Sequence, residues 1–234
     1  MNDLISILIK NQVLFERPVL FNPEKDSLLL MDFTKDNREL NDEILSDTRS
    51  FTTYILGRLE KEKARYGIGG YAEYREVYSR SRVFDGEHAG QEPRRLHLGV
   101  DIWGKPNTAV IAPLDAIVHS FAFNDQPGDY GATIILTHQL EGLTFYTLYG
   151  HLSLNSICNR YEGERIEKGD LFAEFGIPME NGHWPPHLHF QLIRELGDWS
   201  GDYPGVCKYS EKEKYLENSP DPDLILGMMQ YAKR

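Results

Sequence analysis

The stretch Leu96-His97-Leu98-Gly99-Val100-Asp101-Ile102 places an aliphatic residue at every second position. In a pleated strand successive side chains point to opposite faces, so the four aliphatics enter a core while His97 and Asp101 emerge together on the other side. His187-Leu188-His189-Phe190-Gln191-Leu192 repeats the pattern, with both imidazoles outward. A third segment, Phe145 to Leu152, ends in Tyr149-Gly150-His151-Leu152, and strict alternation puts Thr147, Tyr149 and His151 on one face. Three strands turned toward a common groove gather four histidines and one aspartate.

These residue types in this pattern point to metal chemistry. Zinc takes imidazole nitrogen and carboxylate oxygen, and a catalytic site keeps three protein ligands and a fourth position for water. The pair His97 and Asp101 plus one histidine of His187-x-His189 supplies such a trio, and the spacing leaves open which one. A bound ion provides a nucleophile near neutrality and a place for an oxyanion. The two histidines left over are then free to act as base and acid. Each short motif arises by chance in many proteins, whereas the three in this order on correctly alternating strands form a specific signal. His88, His119, His138 and His183 stand outside the motifs and are expected to be structural or exposed.

Outward from these segments, 234 residues suffice for one large or two small domains with a real core. The hydrophobic fraction of 41% and aromatic fraction of 12% exclude global disorder. A formal net charge of -11 argues against a nucleic-acid partner or tracking of anionic lipid by charge. No apolar run approaches a membrane span. Met1 to Phe15 reads as a short amphipathic helix rather than a secretory signal. Cys158 and Cys207 form no C-x-x-C pair. A cytoplasmic location is therefore expected, or an exported one if the sequence is that of a processed form.

Along the chain, Val19 to Phe21 and Leu28 to Met31 read as extended, and Leu40 to Lys63 as a helix with Ile44, Phe51, Ile55 and Leu59 on one face. Tyr66-Gly67-Ile68-Gly69-Gly70 reads as a helix C-cap and hinge rather than a phosphate loop. Tyr71 to Phe84 either drapes over the groove as a lid or packs the first part against the second. Short strands follow at Ala109 to Ala112, Ala116 to Phe123, Tyr130 to Thr137 and Arg165 to Gly176, with a hairpin at Gln139 to Gly142. The expected organisation is a 1–88 α+β region, an 89–196 mainly β domain with an antiparallel sheet, and a 197–234 tail. That tail is expected to wrap the domain, carry a short helix over Asp223 to Tyr231, and take no part in the chemistry.

From about Arg94 to Leu192 the chain resembles the lysostaphin-type zinc metallopeptidases, which cleave peptide cross-links in bacterial cell walls. The resemblance rests on His97-Leu98-Gly99-Val100-Asp101, Asp129-Tyr130-Gly131, Tyr149-Gly150-His151-Leu152, Lys168-Gly169-Asp170 and Pro186-His187-Leu188-His189-Phe190. It implies that His97, Asp101 and His189 hold one Zn2+ ion and that His151 and His187 flank the open position as catalytic groups. It also implies an antiparallel β-sheet groove with a duplicated barrel-like hybrid core. Tyr149, expected on the His151 face, is a candidate substrate contact, with packing as the alternative. Gly99 leaves room for metal and substrate.

The resemblance has departures. The wall-cleaving members are normally exported, and their Gly-rich loop before H-x-H is here Glu180-Asn181-Gly182-His183-Trp184-Pro185-Pro186. The function expected is a zinc metalloendopeptidase acting on a peptide or muropeptide. Two alternatives stand beside it: a cytosolic metal-dependent hydrolase of a non-wall amide or ester, and a non-catalytic binding module that uses the metal groove. Latency is also expected, with a carboxylate or histidine from Tyr71 to His88 filling the fourth metal position, so that removing Met1 to Gly90 raises activity. The oligomeric state stays open.

Overall fold

The strands of the computed structural model, which describes residues 3–86, 88 and 90–234, run in chain order as follows. They are β1 (Leu28–Leu30), β2 (Tyr66–Gly69), β3 (Leu96–His97), β4 (Val100–Trp103), β5 (Ala109–Ile111), β6 (Ala116–Asn124) and β7 (Gly131–Leu140). After them come β8 (Leu143–Leu152), β9 (Arg165–Ile166), β10 (Leu171–Glu174), β11 (His187–Ile193), β12 (Val206–Cys207) and β13 (Ala232–Lys233). Nine of these form one sheet in the order β13-β1-β2-β4-β11-β8-β7-β6-β9, while β5 with β10 and β3 with β12 make two separate ribbons. The protein is mainly β, as its alternating segments indicate.

Two expectations change. The sheet is mixed, because β1 runs parallel to both β2 and β13, while its other pairings are antiparallel. It is also open rather than barrel-like. The edge of β4 on which a closed barrel could seal is occupied by β2, so the upstream region lengthens the sheet. The 1–88 region thus joins the central strands through β2 on β4, the tail adds β13 beside β1 and β12 beside β3, and the sheet runs across the sequence boundary at 89.

The glycine segment at 66–70 is where local reading went wrong. Residues Tyr66–Gly69 are a fully buried strand, not a helix cap. Side chains at Gly67 or Gly69 would collide with Met31, so the glycines reflect close approach of β1's extension rather than a hinge. Upstream, the expected single helix divides into α2 (Asp42–Ser46) and α3 (Thr48–Lys61), following α1 (Leu4–Asn11). The break is at Asp47, which leaves helical geometry at φ -117 and ψ 124 and accepts a hydrogen bond from the Ser50 N–H. Phe51, Ile55 and Leu59 keep the anticipated helical face and pack with Met31, Phe33 and Trp103. No helix among the described residues is long and apolar enough to cross a membrane.

The two faces of the sheet carry different cores. On one, Leu188, Phe190, Tyr149, Ile134 and Phe172 are buried together. Fully burying a side chain such as Phe190 contributes about 2–3 kcal/mol. On the other, Leu148, Ile135, Ile193 and Tyr130 meet Tyr203 of the tail. This second face bears the groove.

Candidate metal centre

The anticipated strand at 96–102 is broken at Leu98-Gly99, so β3 pairs with β12 while β4 pairs with β2 and β11. Register then sets the site: His189 lies opposite Asp101 on β4 and opposite Gly150 on β8. A Cβ at Gly99 would stand about 2.5 Å from the His189 ring, so this glycine makes room for a ligand-type imidazole. His97, Asp101, His151, His187 and His189 all come together, each buried.

His97 Nε2 lies 2.8 Å from His189 Nδ1, and Asp101 Oδ1 lies 3.3 Å and 3.2 Å from those two nitrogens. The ring protons are elsewhere. His97 Nδ1 is 2.8 Å from the Gly70 carbonyl, which can only accept, so the proton is on Nδ1 and Nε2 carries a lone pair. Gln191 Nε2 donates to Pro204 O and to Ser219 Oγ, which turns Oε1 toward His189 Nε2 at 3.0 Å. His189 therefore donates from Nε2 and presents Nδ1 bare. Two imidazole lone pairs and a carboxylate oxygen face one another without a hydrogen among them, an arrangement that repels itself unless a cation sits between. Zinc–nitrogen distances of about 2.0–2.1 Å give a tetrahedron edge of roughly 3.3 Å, which these separations approach. The residues present fit a divalent metal.

His151 and His187 complete the cluster, their ring centroids 4.2 Å apart. His151 Nδ1 is committed to the Asn181 carbonyl at 2.8 Å and His187 Nδ1 to the Pro185 carbonyl at 2.7 Å, leaving the lone pair of each ring on Nε2. Trp103 stacks on His187 at 3.9 Å between centroids and fixes its plane. Burial drives His97 down to about 3, with the Arg75 cation adding to the effect, and drives His187 down to about 4. His151 falls well below its ordinary value for the same reason, reinforced by His187 and His189. Burial alone would raise Asp101, but His97 and Arg75 hold it well below the usual carboxylate range. These three imidazoles are neutral and Asp101 ionised at physiological pH, as ligands and bases require.

His151 reaches the groove by a route that alternation does not give. The β7–β8 ladder shifts register between the pairs Ala132↔Leu152 and Ile134↔Tyr149, and His151 has a φ of 62°. This bulge reverses the facing of the strand end. Thr147 and Tyr149 consequently point into the core, and Tyr149 is fully buried with its ring on Phe172 and Phe190 and its hydroxyl on Thr147. The expected substrate contact at Tyr149 is not on the groove. Tyr130 occupies that side instead, with its hydroxyl 3.4 Å from His189 Nε2.

Sequence reading missed the tail's share of the walls, whereas Tyr78 and Phe84 fall in the segment expected as a lid or packing piece. A cavity of about 130 Å³ over the cluster is lined by Tyr78, Phe84, Trp184 and, from the tail, Trp199, Pro204 and Gly205. The tail is thus part of the site. The indole nitrogens of Trp103 and Trp184 are buried there without a hydrogen-bond partner. Arg75 was missed as well, and its guanidinium is 2.5 Å from Asp101 Oδ2. Among the described residues of 71–88, no histidine or carboxylate joins the donor group: Glu73 is held by Arg75, Asp85 by Arg95, and His88 is exposed. What the described residues of this segment bring to the site is an arginine on a ligand-type carboxylate, not a plug of the fourth position. The other histidines lie apart, His183 exposed and His138 buried beside Phe145.

Residues 95–200 match the model of peptidase family M23. A curated relative from Haemophilus influenzae, described as an uncharacterized metalloprotease, is 31% identical over 135 residues, covering 57% of this chain and 25% of its own. The chain thus spans about a quarter of that relative's length. Among solved structures, the catalytic domain of the antimicrobial peptidase lysostaphin from Staphylococcus simulans is 22% identical, covering 64% of this chain and 92% of its own at a TM-score of 0.39. Helicobacter pylori Csd3 is 24% identical, covering 53% of this chain and 32% of its own at a TM-score of 0.34.

Proposed function

We propose, from the match of residues 95–200 to the model of peptidase family M23, that this chain is a zinc-dependent metallopeptidase hydrolysing amide bonds in peptidoglycan-type cross-link peptides. The observation that carries the reading is the convergence of His97 Nε2, Asp101 Oδ1 and His189 Nδ1 with no proton among them. Those three residues would hold the ion, and two imidazoles with one carboxylate suit zinc. When bound, the ion supplies Lewis acidity, polarising a carbonyl and making water a nucleophile near neutrality.

The chain's own groups do the rest. His151 Nε2, which carries the ring's lone pair because Nδ1–H is committed to Asn181, accepts the proton of the attacking water and passes it to the departing amine nitrogen. His187, braced by Pro185 and Trp103, accepts the water's other hydrogen and orients it. The aromatic walls exclude bulk water and strengthen each of these interactions.

The test is a digest of defined cross-linked muropeptides, with and without chelator, read by mass spectrometry. The expected result is products heavier by one water per amide cut, absent with chelator and restored by Zn2+. Intact muropeptides after incubation with metal-loaded protein would reject the substrate, and hydrolysis unaffected by His189→Ala would reject the metal centre.

A further inference from the structure

We infer that Arg75 is a positioning residue that restricts Asp101 to a single ligand oxygen and thereby keeps the fourth metal position open. The inference rests on the proposal that His97, Asp101 and His189 hold the ion.

The two oxygens of Asp101 have separate tasks. Oδ1 faces His97 at 3.3 Å, His189 at 3.2 Å and His187 at 3.9 Å, all on the groove side. Oδ2 receives Arg75 Nη1 at 2.5 Å. A carboxylate so clamped has one free oxygen. Without the clamp it could rotate both oxygens onto the ion, and a bidentate Asp101 would take up a coordination position that catalysis needs for water.

Arg75 is built in, not incidental. It is 2% exposed, its Nε donates to Glu73 Oε2 at 2.5 Å, and its Nη1 also reaches the Tyr78 hydroxyl at 3.3 Å. The guanidinium lies over the Phe33 ring at 5.1 Å. Gly70, with φ at +102°, leaves the space: a Cβ there would overlap the guanidinium. The carbonyl of the same glycine accepts His97 Nδ1–H, so the turn after β2 orients two of the three proposed ligands at once. Burying an arginine is costly unless it is paired on every side, and here two carboxylates flank it. Glu73 and Asp101 leave this triad with one net negative charge, so the guanidinium does not cancel the attraction of the site for a divalent cation. Arg75, Glu73, Tyr78, Phe33 and Gly70 all lie upstream of the residues that match the family model.

Cobalt(II) reports coordination number directly, because four-coordinate sites absorb visible light more strongly than five-coordinate ones. Full-length protein is stripped with chelator, reloaded with Co2+, and its Zn2+ affinity measured by competition with a chromophoric chelator. Wild type is expected to bind one Co2+ with the intense four-coordinate bands. Arg75→Lys, which keeps the charge and loses the forked geometry, is expected to show bands at most half as intense and a Zn2+ affinity changed by tenfold or more. Wild-type bands and an affinity within twofold in folded Arg75→Lys would overturn the inference while leaving the metal centre standing. Absence of metal binding by wild type would instead overturn the proposed function, and the inference with it. If Arg75→Lys does not fold, Glu73→Gln loosens the guanidinium from its other side and carries the same test, with weakened bands supporting the inference and unchanged bands refuting it.

Discussion

His97 Nε2 and His189 Nδ1 face each other at 2.8 Å, each with its proton committed to an acceptor on the far side of its ring. Two lone pairs this close store repulsion that a cation converts into binding, so metal should stabilise the whole fold. At a free-ion concentration of a thousand times Kd, linkage gives about 4 kcal/mol. For a chain of this size that corresponds to a rise in Tm of roughly 8–16 °C. Calorimetry with chelator and with added Zn2+ checks it, and coincident transitions would contradict the convergence of these donors on an ion.

The five clustered side chains divide into holders and proton carriers. His189→Ala is expected to lose both stoichiometric metal and turnover. His151→Ala is expected to retain metal, because His151 is not among the donors that lie within 4.8 Å of one another, and to lose about 10²–10⁴-fold in kcat. Elemental analysis beside steady-state kinetics separates the two, and loss of metal in His151→Ala would show that the division is wrong.

Removing residues 1–90 is expected to destroy activity rather than release it. The cut deletes β2, which pairs with β4 across Gly67↔Trp103 and Gly69↔Asp101, together with the Gly70 carbonyl and Arg75. It exposes a sheet edge beside the proposed ligands. Muropeptide turnover and metal content of the truncated chain are the measurements; a more active truncated protein would restore the latency reading.

What the sequence disclosed follows from how local each signal is. His97, Asp101, His187 and His189 could be placed on one face because alternation within a strand needs no knowledge of the rest of the chain. His151 lands on that face only because a register shift and a left-handed backbone turn it there, and the same shift sends Tyr149 inward. The strand at 66–69 was hidden because Gly67 and Gly69 answer to Met31, a residue far off in sequence. Arg75 meets Asp101 only once that strand is paired, and Tyr203 to Gly205 reach the groove through β12, so neither could be read from spacing.

Tyr149 gives a direct check of that reversal. Tyr149→Phe removes a hydroxyl that touches only Thr147, so kcat/KM is expected to stay within about twofold while stability falls by about 1 kcal/mol. A large fall in turnover without loss of stability would put Tyr149 back at the groove.

His138 lies remote from the metal cluster and sets an acid limit on the fold. Its Nδ1–H donates to the Asp115 carbonyl, its Nε2 is 2.7 Å from Thr147 Oγ1, and burial pushes it from 6.5 down to about 4. Above about pH 6.5 the imidazole is neutral in both folded and unfolded chains and contributes no pH dependence. Between there and pH 4 the unfolded chain takes a proton that the folded one refuses, so stability falls as pH falls. A one-proton difference between the two states costs about 1.36 kcal/mol for each step of one in pH, so the loss attributable to this residue by pH 4.5 is roughly 2–3 kcal/mol. His138→Gln cannot take that proton, so the difference in unfolding free energy between pH 7 and pH 4.5 should shrink by that amount. Urea titrations of the metal-free proteins at both pH values measure it, the histidines of the metal cluster being common to the two chains. Equal acid losses in wild type and His138→Gln would show that this imidazole is already charged in the fold.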